Sequence, residues 1–482
     1  MEGDLQYDDC DAFGVQRDQH GEAAVTDRSV GSAGMVATVM PAESSSWQGK
    51  RVLVLSPTPT SPENYGNRRR IRRVCSDIKA AGGEIVFVHY ASEMEWREVL
   101  PATAQAEMRA MWNEYYLIPP TVWLHSDPTG SHHEIDDWWD PAIEKFLRWL
   151  FERAQFDVFI VNYTWLSRAL ILAPPGVLRV LDTHDRFAGR KELLQSQGIA
   201  PEFFYLRDDA AETEALDRSD VIWAIKEQEA AHFRKLVSKP VVTMPYMQLN
   251  TVLPRPAPDP LGVLRIGVIG AGNNVNKVNL ERFIQMFHDI ARMHFAPVRL
   301  VIAGSVCDVL ELQQDALVTL LGRVDDIEDF YGAVDVVAIP MEFSTGLKIK
   351  TGEALSFGLP VISTAHGFEG YATNEPLHLL PDLAGVAKAA VRLSLEPERL
   401  VELANTSLGV VKRSLAVVDQ GLETTVQAAN GRFRGLFIVD GRMLDDQSVT
   451  AEAIFAMVSF FSHIGASEIF VSGGSLAKGR IW

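Results

Sequence analysis

The sequence predicts an α/β protein in which two Rossmann-like domains face one cleft. Short apolar segments alternate with helical segments in two separate series, which is typical of parallel sheets covered by helices. Five prolines between Pro245 and Pro260 separate the two series and indicate a linker. The chain has 482 residues, of which 47% are hydrophobic and 22% charged, and this length suits two large domains with additional segments.

Residues 1–49 are predicted to form a disordered acidic leader. They contain nine acidic residues against two arginines, many small residues and no sustained hydrophobic period. The leader therefore accounts for −7 of the formal net charge of −18. An acidic total argues against a protein that coats nucleic acid, but local basic residues and helix amino termini can still hold phosphate.

Cysteine usage and the amino-terminal sequence predict a cytoplasmic protein. Cys10, Cys75 and Cys307 are widely separated, which argues against a disulfide framework or a cysteine metal site. The first ten residues are acidic, whereas a signal peptide begins with a basic region, and no apolar run approaches the ~18 residues of a membrane-spanning helix. These features are also compatible with a peripheral contact at the inner face of the membrane.

The first series predicts an amino-terminal Rossmann-like domain over residues 50–245, on the acceptor side of the cleft. A helix from about Arg68 to Ala81 ends at two glycines, and residues 91–155 look like a helical insertion. The predicted strands are 51–56, 84–90, 156–162, 178–185 and 220–225.

The second series predicts a carboxy-terminal Rossmann-like domain over residues 264–430, after a proline-rich linker at 246–263. Residues 382–429 are predicted to be helical, and 431–482 to form an extra strand–helix–strand segment that extends a sheet or begins a further module. The predicted strands of the domain are 264–270, 298–304, 334–340 and 359–364. In such sheets, ligands bind beyond the carboxyl ends of the strands.

The most informative stretch is PMEFSTGLKIKTGEALSFGLPVISTAHGFEGY, residues 340–371. A turn at Ser344, Thr345 and Gly346 leads into a helix that begins near Lys348, and the amino terminus of a helix is suited to a diphosphate. Gly346 permits close approach, Lys348 and Lys350 add positive charge, and Glu353 offers paired acceptors to a ribose diol. The alternative is an ordinary amphipathic helix with solvated lysines.

This stretch resembles the donor-binding region of GT-B glycosyltransferases, especially the family 4 type, the glycosyl transferases group 1. The resemblance covers residues 264–371 well and 51–245 more loosely, and LLGRVDDIEDFYGAVDVVAIP at 320–340 is also similar to the family. The residues that match the helix and strand pattern of the family are Lys350, Glu353, Ala354, Gly358, Pro360, Val361, Ile362 and Thr364.

The chain departs from the family pattern at Thr345, where many relatives have the first of two glutamates, the second being Glu353. Glu342 is a spatial alternative for the missing carboxylate. The resemblance implies that Leu347 in the turn also belongs to the donor site, and that Lys277 or Arg323 contacts the donor diphosphate.

The loop after a strand of the first series, LDTHDRFAGR at 181–190, supplies a second set of candidates. His184 and Asp185 follow the strand and are expected to face the cleft. The resemblance implies that His184 contacts the donor sugar near the reacting phosphate, and the alternative is a histidine hydrogen-bonded within its loop. Arg186 and Arg190 either reach phosphate or pair with nearby acids.

The loop at 57–70 resembles the acceptor-side loop of the family through Gly66, Asn67 and Arg70. Arg68, Arg69, Arg70, Arg72 and Arg73 cannot all face one ligand on a helix, so some must be solvated or paired. An anionic acceptor and a solvated basic face are both compatible with this cluster.

Two other motifs carry less information. The glycines of GVIGAGNNVNKVN at 267–279 match the dinucleotide pattern only in part, because Val275 stands at the third glycine position. HHEIDDWWD at 132–140 offers metal ligands, but adjacent residues such as His132 and His133 point to opposite faces of an extended chain, so packing is the preferred interpretation.

The sequence thus predicts a glycosyltransferase that moves a sugar from a nucleotide-sugar donor to a glycan, lipid-linked or small-molecule acceptor, as in polysaccharide biosynthesis. The resemblance implies retention of configuration, no metal and no cofactor beyond the nucleotide-sugar co-substrate. No nucleic-acid partner is expected, and the oligomeric state is not predicted. The alternatives are a nucleotide-sugar epimerase of the same fold, a non-catalytic binding protein and, more distantly, a dehydrogenase.

Overall fold

The structure is a computed structural model that describes residues 47–63, 65–92, 100–122, 132–200, 204–248, 250–254, 262–312 and 315–430, with the backbone of 436–440 and 468–472. Contacts divide the chain into residues 1–44 and residues 45–482, and both main sheets lie in the second unit. Residues 1–46 of the predicted leader lie outside the described residues. Trp47, which falls within the predicted leader, is buried in the core of the amino-terminal domain.

The amino-terminal domain is a seven-stranded parallel sheet with the order β3-β2-β1-β4-β5-β6-β7. The order reverses between β1 and β4, which is the switch point at which such sheets bind ligands. The strands are β1 Arg51–Ser56, β2 Glu84–Tyr90, β3 Glu114–Ile118, β4 Val158–Asn162, β5 Leu178–Asp182, β6 Val221–Ala224 and β7 Val241–Thr243.

Helices cover both faces of this sheet, and apolar side chains of the strands pack beneath them. A 3-10 helix, Thr164–Leu172, follows β4. The α-helices are α1 Gly66–Ala80, α2 Ala102–Met111, α3 Pro141–Phe151, α4 Arg190–Ser196, α5 Asp209–Asp217 and α6 Glu227–Leu236.

The carboxy-terminal domain repeats the plan with a five-stranded parallel sheet of order β10-β9-β8-β11-β12, whose switch point lies between β8 and β11. Its strands are β8 Leu264–Ile269, β9 Val298–Ala303, β10 Val318–Gly322, β11 Val336–Ile339 and β12 Val361–Ser363. Its helices are α7 Asn274–Met293, α8 Ile327–Gly332, α9 Ile349–Ser356, α10 Leu383–Leu393 and α11 Pro397–Asn430.

Helix α11 connects the two domains. Leu403 packs in the core of the carboxy-terminal domain, whereas Val418 and Val426 pack in the core of the amino-terminal domain. Trp223 in β6 donates its indole N–H to the Thr425 hydroxyl at 2.9 Å. Both domains therefore share this helix.

The predicted fold class, two Rossmann-like α/β domains, is confirmed. The prediction of a helical insertion over 91–155 is wrong in one respect, because the segment contains β3 between α2 and α3. Strands β7 and β10 were not predicted either. All three are edge strands with partly exposed side chains, so they lack the continuous apolar run that identifies a central strand.

The predicted strands of the carboxy-terminal segment correspond to β13 Leu436–Asp440 and β14 Glu468–Ser472, which pair with each other in parallel. The helix predicted between them lies outside the described residues. Among the helices that the structure describes, none is long and apolar enough to span a membrane.

Candidate functional site

A cleft of about 1080 Å³ lies between the two domains. Loops and helix ends that follow β1, β5, β8, β9, β10 and β11 line it, so it collects the carboxyl ends of strands from both sheets. β1 and β8 adjoin the switch points of their sheets. The topology therefore places the cleft where an α/β fold binds its ligands.

The cleft brings together some of the residues singled out in the sequence. Those that line it are Gly66, Arg323, Thr345, Leu347, Lys348, Lys350 and Glu353. Those outside its lining are Asn67, Arg70, His184, Asp185, Lys277 and Gly346. Of the second group, His184 and Asn67 contact residues beneath the amino-terminal wall, whereas Lys277 pairs with Glu311.

The turn before α9 is built for close approach between the two domains. Gly346 has φ +67°, in the left-handed region that favours glycine. A Cβ at this position would lie 3.6 Å from both the His184 carbonyl oxygen and the Asp185 Cγ. No side chain caps α9, and the Thr351 N–H donates to the Lys348 carbonyl at 2.9 Å, so in the described hydrogen bonds the N–H groups of Ile349 and Lys350 remain available to a ligand in the cleft.

Lys348 and Lys350 place two ammonium groups at this helix terminus. Lys348 is buried, and its Nζ lies 3.6 Å from Glu369. Lys350 Nζ contacts only neutral atoms in the described hydrogen bonds and ion pairs, Asn276 Oδ1 at 3.1 Å and Met341 Sδ at 3.5 Å. Burial lowers the pKa of each lysine to about 8, against opposing effects of Glu369 on Lys348 and of Glu353 on Lys350.

The amino terminus of α7 faces the same space. Asn273 caps the helix by accepting from the Asn276 N–H at 2.9 Å. The preceding loop packs closely against the loop after β9, since a Cβ at Gly272 would lie 2.7 Å from the Ser305 carbonyl oxygen and one at Gly304 would lie 2.3 Å from the Gly270 carbonyl oxygen. This packing accounts for Gly272, one of the two glycines that partly matched a dinucleotide motif, whereas a Cβ at Gly270 would meet its nearest neighbours only at 3.6 Å.

Glu353 lies one turn into α9 and is buried at the cleft wall. One carboxylate oxygen pairs with the Arg69 guanidinium, which reaches across from α1 in the other domain. The other oxygen lies 3.5 Å from the Tyr331 hydroxyl, a long hydrogen bond. A ribose diol at this carboxylate must therefore share it with Arg69 or displace that guanidinium.

Three further candidates lie at the margin of the donor side. Arg323 lines the cleft, is largely exposed and pairs with Asp308 at 3.0 Å. Lys277 pairs with Glu311 at 3.0 Å and lies outside the lining. Glu342, the proposed spatial substitute for the missing glutamate, is exposed and also outside the lining, with Arg282 4.0 Å away.

His184 lies beneath the amino-terminal wall of the cleft. Its ring stacks on Tyr163 with centroids 4.1 Å apart, and Nε2 lies 2.9 Å from Asn162 Oδ1. The Asn162 amide nitrogen donates to the Leu55 carbonyl, so Oδ1 is the acceptor and His184 Nε2–H the donor. Burial lowers the pKa of His184 to about 3, which keeps the imidazole neutral and its Nδ1 an acceptor.

Tyr163 is a residue that the sequence analysis missed. Its hydroxyl accepts from the Asn67 side chain at 3.0 Å, which links the acceptor-side loop to the His184 ring. Tyr163 and His184 both have positive φ, +73° and +60°, an unusual conformation for residues with side chains. In the sequence, the one available signal was the position of Tyr163 directly after β4, at the carboxyl end of a strand. The backbone strain, which collects at functional sites, is visible only in the structure.

Most of the arginine cluster on α1 is neutralised by carboxylates. Arg70 is almost fully buried and pairs with Asp182, and Arg69 is the member of the cluster that lines the cleft. Arg68 lies over the Tyr65 ring at 4.9 Å and donates to the Pro62 carbonyl. The remaining members, Arg72 and Arg73, pair with Glu63 and Asp77 at 2.8 Å each.

Two more arginines follow β5. Arg190 lines the cleft and donates to Asp185 at 2.8 Å, and Arg186 donates to Asp209 at 2.9 Å. Asp185 also accepts from the backbone N–H of Arg186. Both arginines thus pair with nearby acids in this structure.

The His-rich motif at 132–140 packs in the amino-terminal domain. The His133 ring stacks on Phe204 with centroids 5.0 Å apart, and Trp138 lies edge-on to Trp165 in the same core. His132 pairs with Glu192 at 3.1 Å. Within the described part of the chain, no group of three or more His, Cys, Asp or Glu side chains is arranged to hold a metal ion.

Comparisons with known proteins add a family and a fold. Residues 264–395 match the family model described as Glycosyl transferases group 1. A search of the curated proteins finds no significant match. The family match includes α7, α9 and the turn between β11 and α9, which form the carboxy-terminal wall of the cleft.

Three solved structures illustrate the fold. Anabaena HepE in complex with UDP and glucose is 12% identical, with 78% of this chain and 99% of that chain aligned at a TM-score of 0.53. An S. aureus TarM variant in complex with fondaparinux, alpha-GlcNAc-glycerol and UDP is 9% identical, with 78% and 99% aligned at 0.56. A UDP-forming trehalose-phosphate synthase from Burkholderia xenovorans is 13% identical, with 79% and 99% aligned at 0.50. These findings confirm the resemblance seen in the sequence: residues 264–395 match Glycosyl transferases group 1, and the chain has the GT-B fold of these solved structures.

Proposed function

We propose that this protein transfers a sugar from a uridine diphosphate sugar to a carbohydrate or lipid-linked acceptor, with retention of configuration and without a metal ion. The observation that carries the proposal is Lys350, an ammonium group at the cleft whose described partners are neutral atoms. A charge held in this way is costly unless an anion pairs with it. A diphosphate would supply that anion.

The surrounding geometry supports a diphosphate at this point. The amino termini of α7 and α9 both line the cleft, and each adds a partial positive charge and backbone donors. Lys348 adds a second ammonium group near the amino terminus of α9 and also lines the cleft. Charge that develops on the leaving diphosphate would be stabilised by these groups, which are already in position before the sugar–phosphate bond breaks.

The choice of UDP draws on structures of similar fold, since the HepE and TarM structures are complexes with UDP and the trehalose-phosphate synthase is UDP-forming. We place the ribose at Glu353, whose carboxylate can accept hydrogen bonds from both hydroxyls of the diol. The sugar would then extend toward the turn at Gly346, which adjoins His184 and Asp185 of the opposite domain. We assign no general base.

Retention and independence from metal follow from the family resemblance, and the site chemistry is compatible with the second. Lys348 and Lys350 already supply the positive charge that a metal ion supplies to diphosphates elsewhere. The acceptor would enter from the amino-terminal wall, beside Gly66, Arg69 and Arg190. Because these two arginines are paired with carboxylates, a polar uncharged acceptor fits this wall better than a phosphate-rich one.

Calorimetry with UDP, ADP and GDP tests the proposal, together with turnover of UDP-sugars in the presence of EDTA. We expect the wild type to prefer UDP, and Glu353→Gln to weaken UDP binding about fivefold, because a hydrogen bond to a charged acceptor becomes one to a neutral acceptor. Glu342→Gln is the matched control, since Glu342 lies outside the cleft lining. A wild type that binds none of the three nucleotides, or that isomerises a UDP-sugar without transferring it, would refute the proposal.

A further inference from the structure

Three side chains form a hydrogen-bonded triad on the carboxy-terminal wall of the cleft. The Ser344 hydroxyl lies 2.9 Å from His366 Nε2, and His366 Nδ1 lies 3.2 Å from Glu369 Oε1. Ser344 lines the cleft, whereas His366 and Glu369 stand behind it on the loop after β12. Neither the sequence patterns considered above nor the resemblance assigns a role to these three residues as a unit.

The charge of Glu369 orients the triad. Its other carboxylate oxygen accepts from Lys226 at 2.9 Å and lies 3.6 Å from Lys348 Nζ. Although burial alone would raise the pKa of Glu369, His366 and the two lysines hold it well below its ordinary value. Glu369 is therefore an ionised carboxylate, and it accepts a hydrogen bond from the Nδ1–H of His366.

This arrangement decides which way the serine hydroxyl points. In the tautomer that carries its proton on Nδ1 and donates it to Glu369, Nε2 is an acceptor and receives a hydrogen bond from the Ser344 hydroxyl. Because its O–H is directed to His366, Ser344 Oγ can still accept a hydrogen bond through its lone pairs, and Ser344 lines the cleft. The triad thus turns a serine, which ordinarily donates and accepts, into an oriented acceptor.

The position of Ser344 suggests what it accepts from. It precedes Thr345, the position at which the resemblance described above implies a carboxylate for the donor sugar, and it lies two residues before Gly346, where the cleft walls approach each other. Thr345 cannot replace a carboxylate. Glu342, the other candidate, lies outside the cleft lining.

We propose that Ser344, oriented by His366 and Glu369, accepts a hydrogen bond from a hydroxyl group of the donor sugar and thereby takes the part of the carboxylate that the chain lacks at position 345. Ser344 is then a specificity-determining residue, and His366 and Glu369 are positioning residues. The donor class that fits is a sugar with a free hydroxyl at this point, as opposed to one deoxygenated there. This inference rests on the proposed function, because it assumes that the diphosphate binds at α9.

The test compares nucleotide with nucleotide-sugar in Ser344→Ala, His366→Leu and His366→Gln. The probes are UDP, UDP-glucose and UDP-N-acetylglucosamine, measured by calorimetry and by kcat/KM for sugar transfer or hydrolysis. We expect UDP affinity to change less than twofold, while the sugar-dependent gain in affinity and kcat/KM falls about three- to tenfold in Ser344→Ala and His366→Leu. His366→Gln should restore most of it, since a carboxamide can accept from Ser344 and donate to Glu369.

Ser305→Ala is the matched control. Ser305 also lines the cleft, but its hydroxyl accepts from the Gly272 N–H at 2.9 Å, near the amino terminus of α7. Its removal should leave the difference between UDP and UDP-sugars unchanged. Thermal unfolding of each variant establishes that the fold is retained.

Several results would overturn the inference while leaving the proposed function in place. They are an equal loss for UDP and UDP-sugars, no loss in Ser344→Ala, and a His366→Gln variant as weak as His366→Leu. Because the same geometry activates nucleophilic serines, stoichiometric labelling of Ser344 by diisopropyl fluorophosphate would also count against an acceptor role. A wild type that does not bind UDP would refute the proposed function and this inference together.

Discussion

The two walls of the cleft carry positive charge in opposite ways. On the amino-terminal wall, Arg69 and Arg190 each pair with a carboxylate. On the carboxy-terminal wall, Lys350 meets only neutral atoms in the described contacts, and Lys348 shares Glu369 with a second lysine, Lys226. Of these cleft cations, Lys350 on the carboxy-terminal wall is therefore the one whose described partners include no carboxylate.

This difference separates binding of an anion from support of the structure. The lysines lie where two helix termini also attract negative charge, so the wall is prepared for a ligand that brings its own charge. The arginines of the other wall satisfy acidic side chains of the protein itself. The net charge of −18 describes neither wall, because it averages over the whole chain.

The largest effect is expected on stability, from a comparison of two adjacent arginines of α1. Arg70 is 1% exposed and pairs with the buried Asp182, so Arg70→Ala should lower the free energy of unfolding by about 3–5 kcal/mol, since a buried carboxylate loses its partner. Arg69→Ala should cost less, about 1–3 kcal/mol, because Glu353 is also buried but its pair with the partly exposed Arg69 borders the cleft. Urea unfolding followed by tryptophan fluorescence measures both. Nine of the ten tryptophans precede residue 245, so the signal reports the amino-terminal domain. Equal costs would mean that the two pairs do not differ in burial as the structure describes.

The next effect is expected on nucleotide binding, from a comparison of two lysines. Lys350→Met keeps the length of the side chain but removes the charge, and should weaken UDP binding about 10- to 100-fold, the value of a charged hydrogen bond. Lys277→Met is the matched control, because Lys277 pairs with Glu311 outside the cleft lining and should leave UDP affinity nearly unchanged. Calorimetry at low and physiological salt checks both. A larger loss in Lys277→Met would move the diphosphate toward the amino terminus of α7.

The fold was predictable wherever burial is continuous. Central strands such as β1 and β8 are apolar on both faces and stand out in the sequence, whereas the edge strands β3, β7 and β10 keep side chains partly exposed and do not. β12 supports this explanation, since it is an edge strand with all three residues buried, and it was predicted. Exposure, and not strand length, separates the two groups.

The candidate site was predictable where its residues are close in sequence. The turn at Gly346, the two lysines and Glu353 lie within eight residues, so one pattern predicts them together. Tyr163 and the Ser344–His366–Glu369 triad depend on contacts between loops that follow different strands. No local pattern could predict those contacts, because they exist only after the sheets have formed.

The smallest effect, and a sharper test of the difference between the walls, is the pH dependence of UDP binding. Both lysines have a pKa of about 8, lowered by burial, so their ammonium charge is lost as the pH rises through 8, well below the ordinary value for lysine. If one charged lysine is required, UDP affinity should be nearly constant from pH 6.5 to 7.5 and about tenfold weaker at pH 9, measured by calorimetry. The paired arginines of the amino-terminal wall keep their charge throughout this range, so they cannot produce the decline. Lys350→Met should flatten the profile, leaving only the contribution of Lys348. An unchanged slope in that variant would assign the pH dependence to Lys348 alone. A wild type with constant affinity up to pH 9 would show that the carboxy-terminal wall does not hold the diphosphate through these lysines.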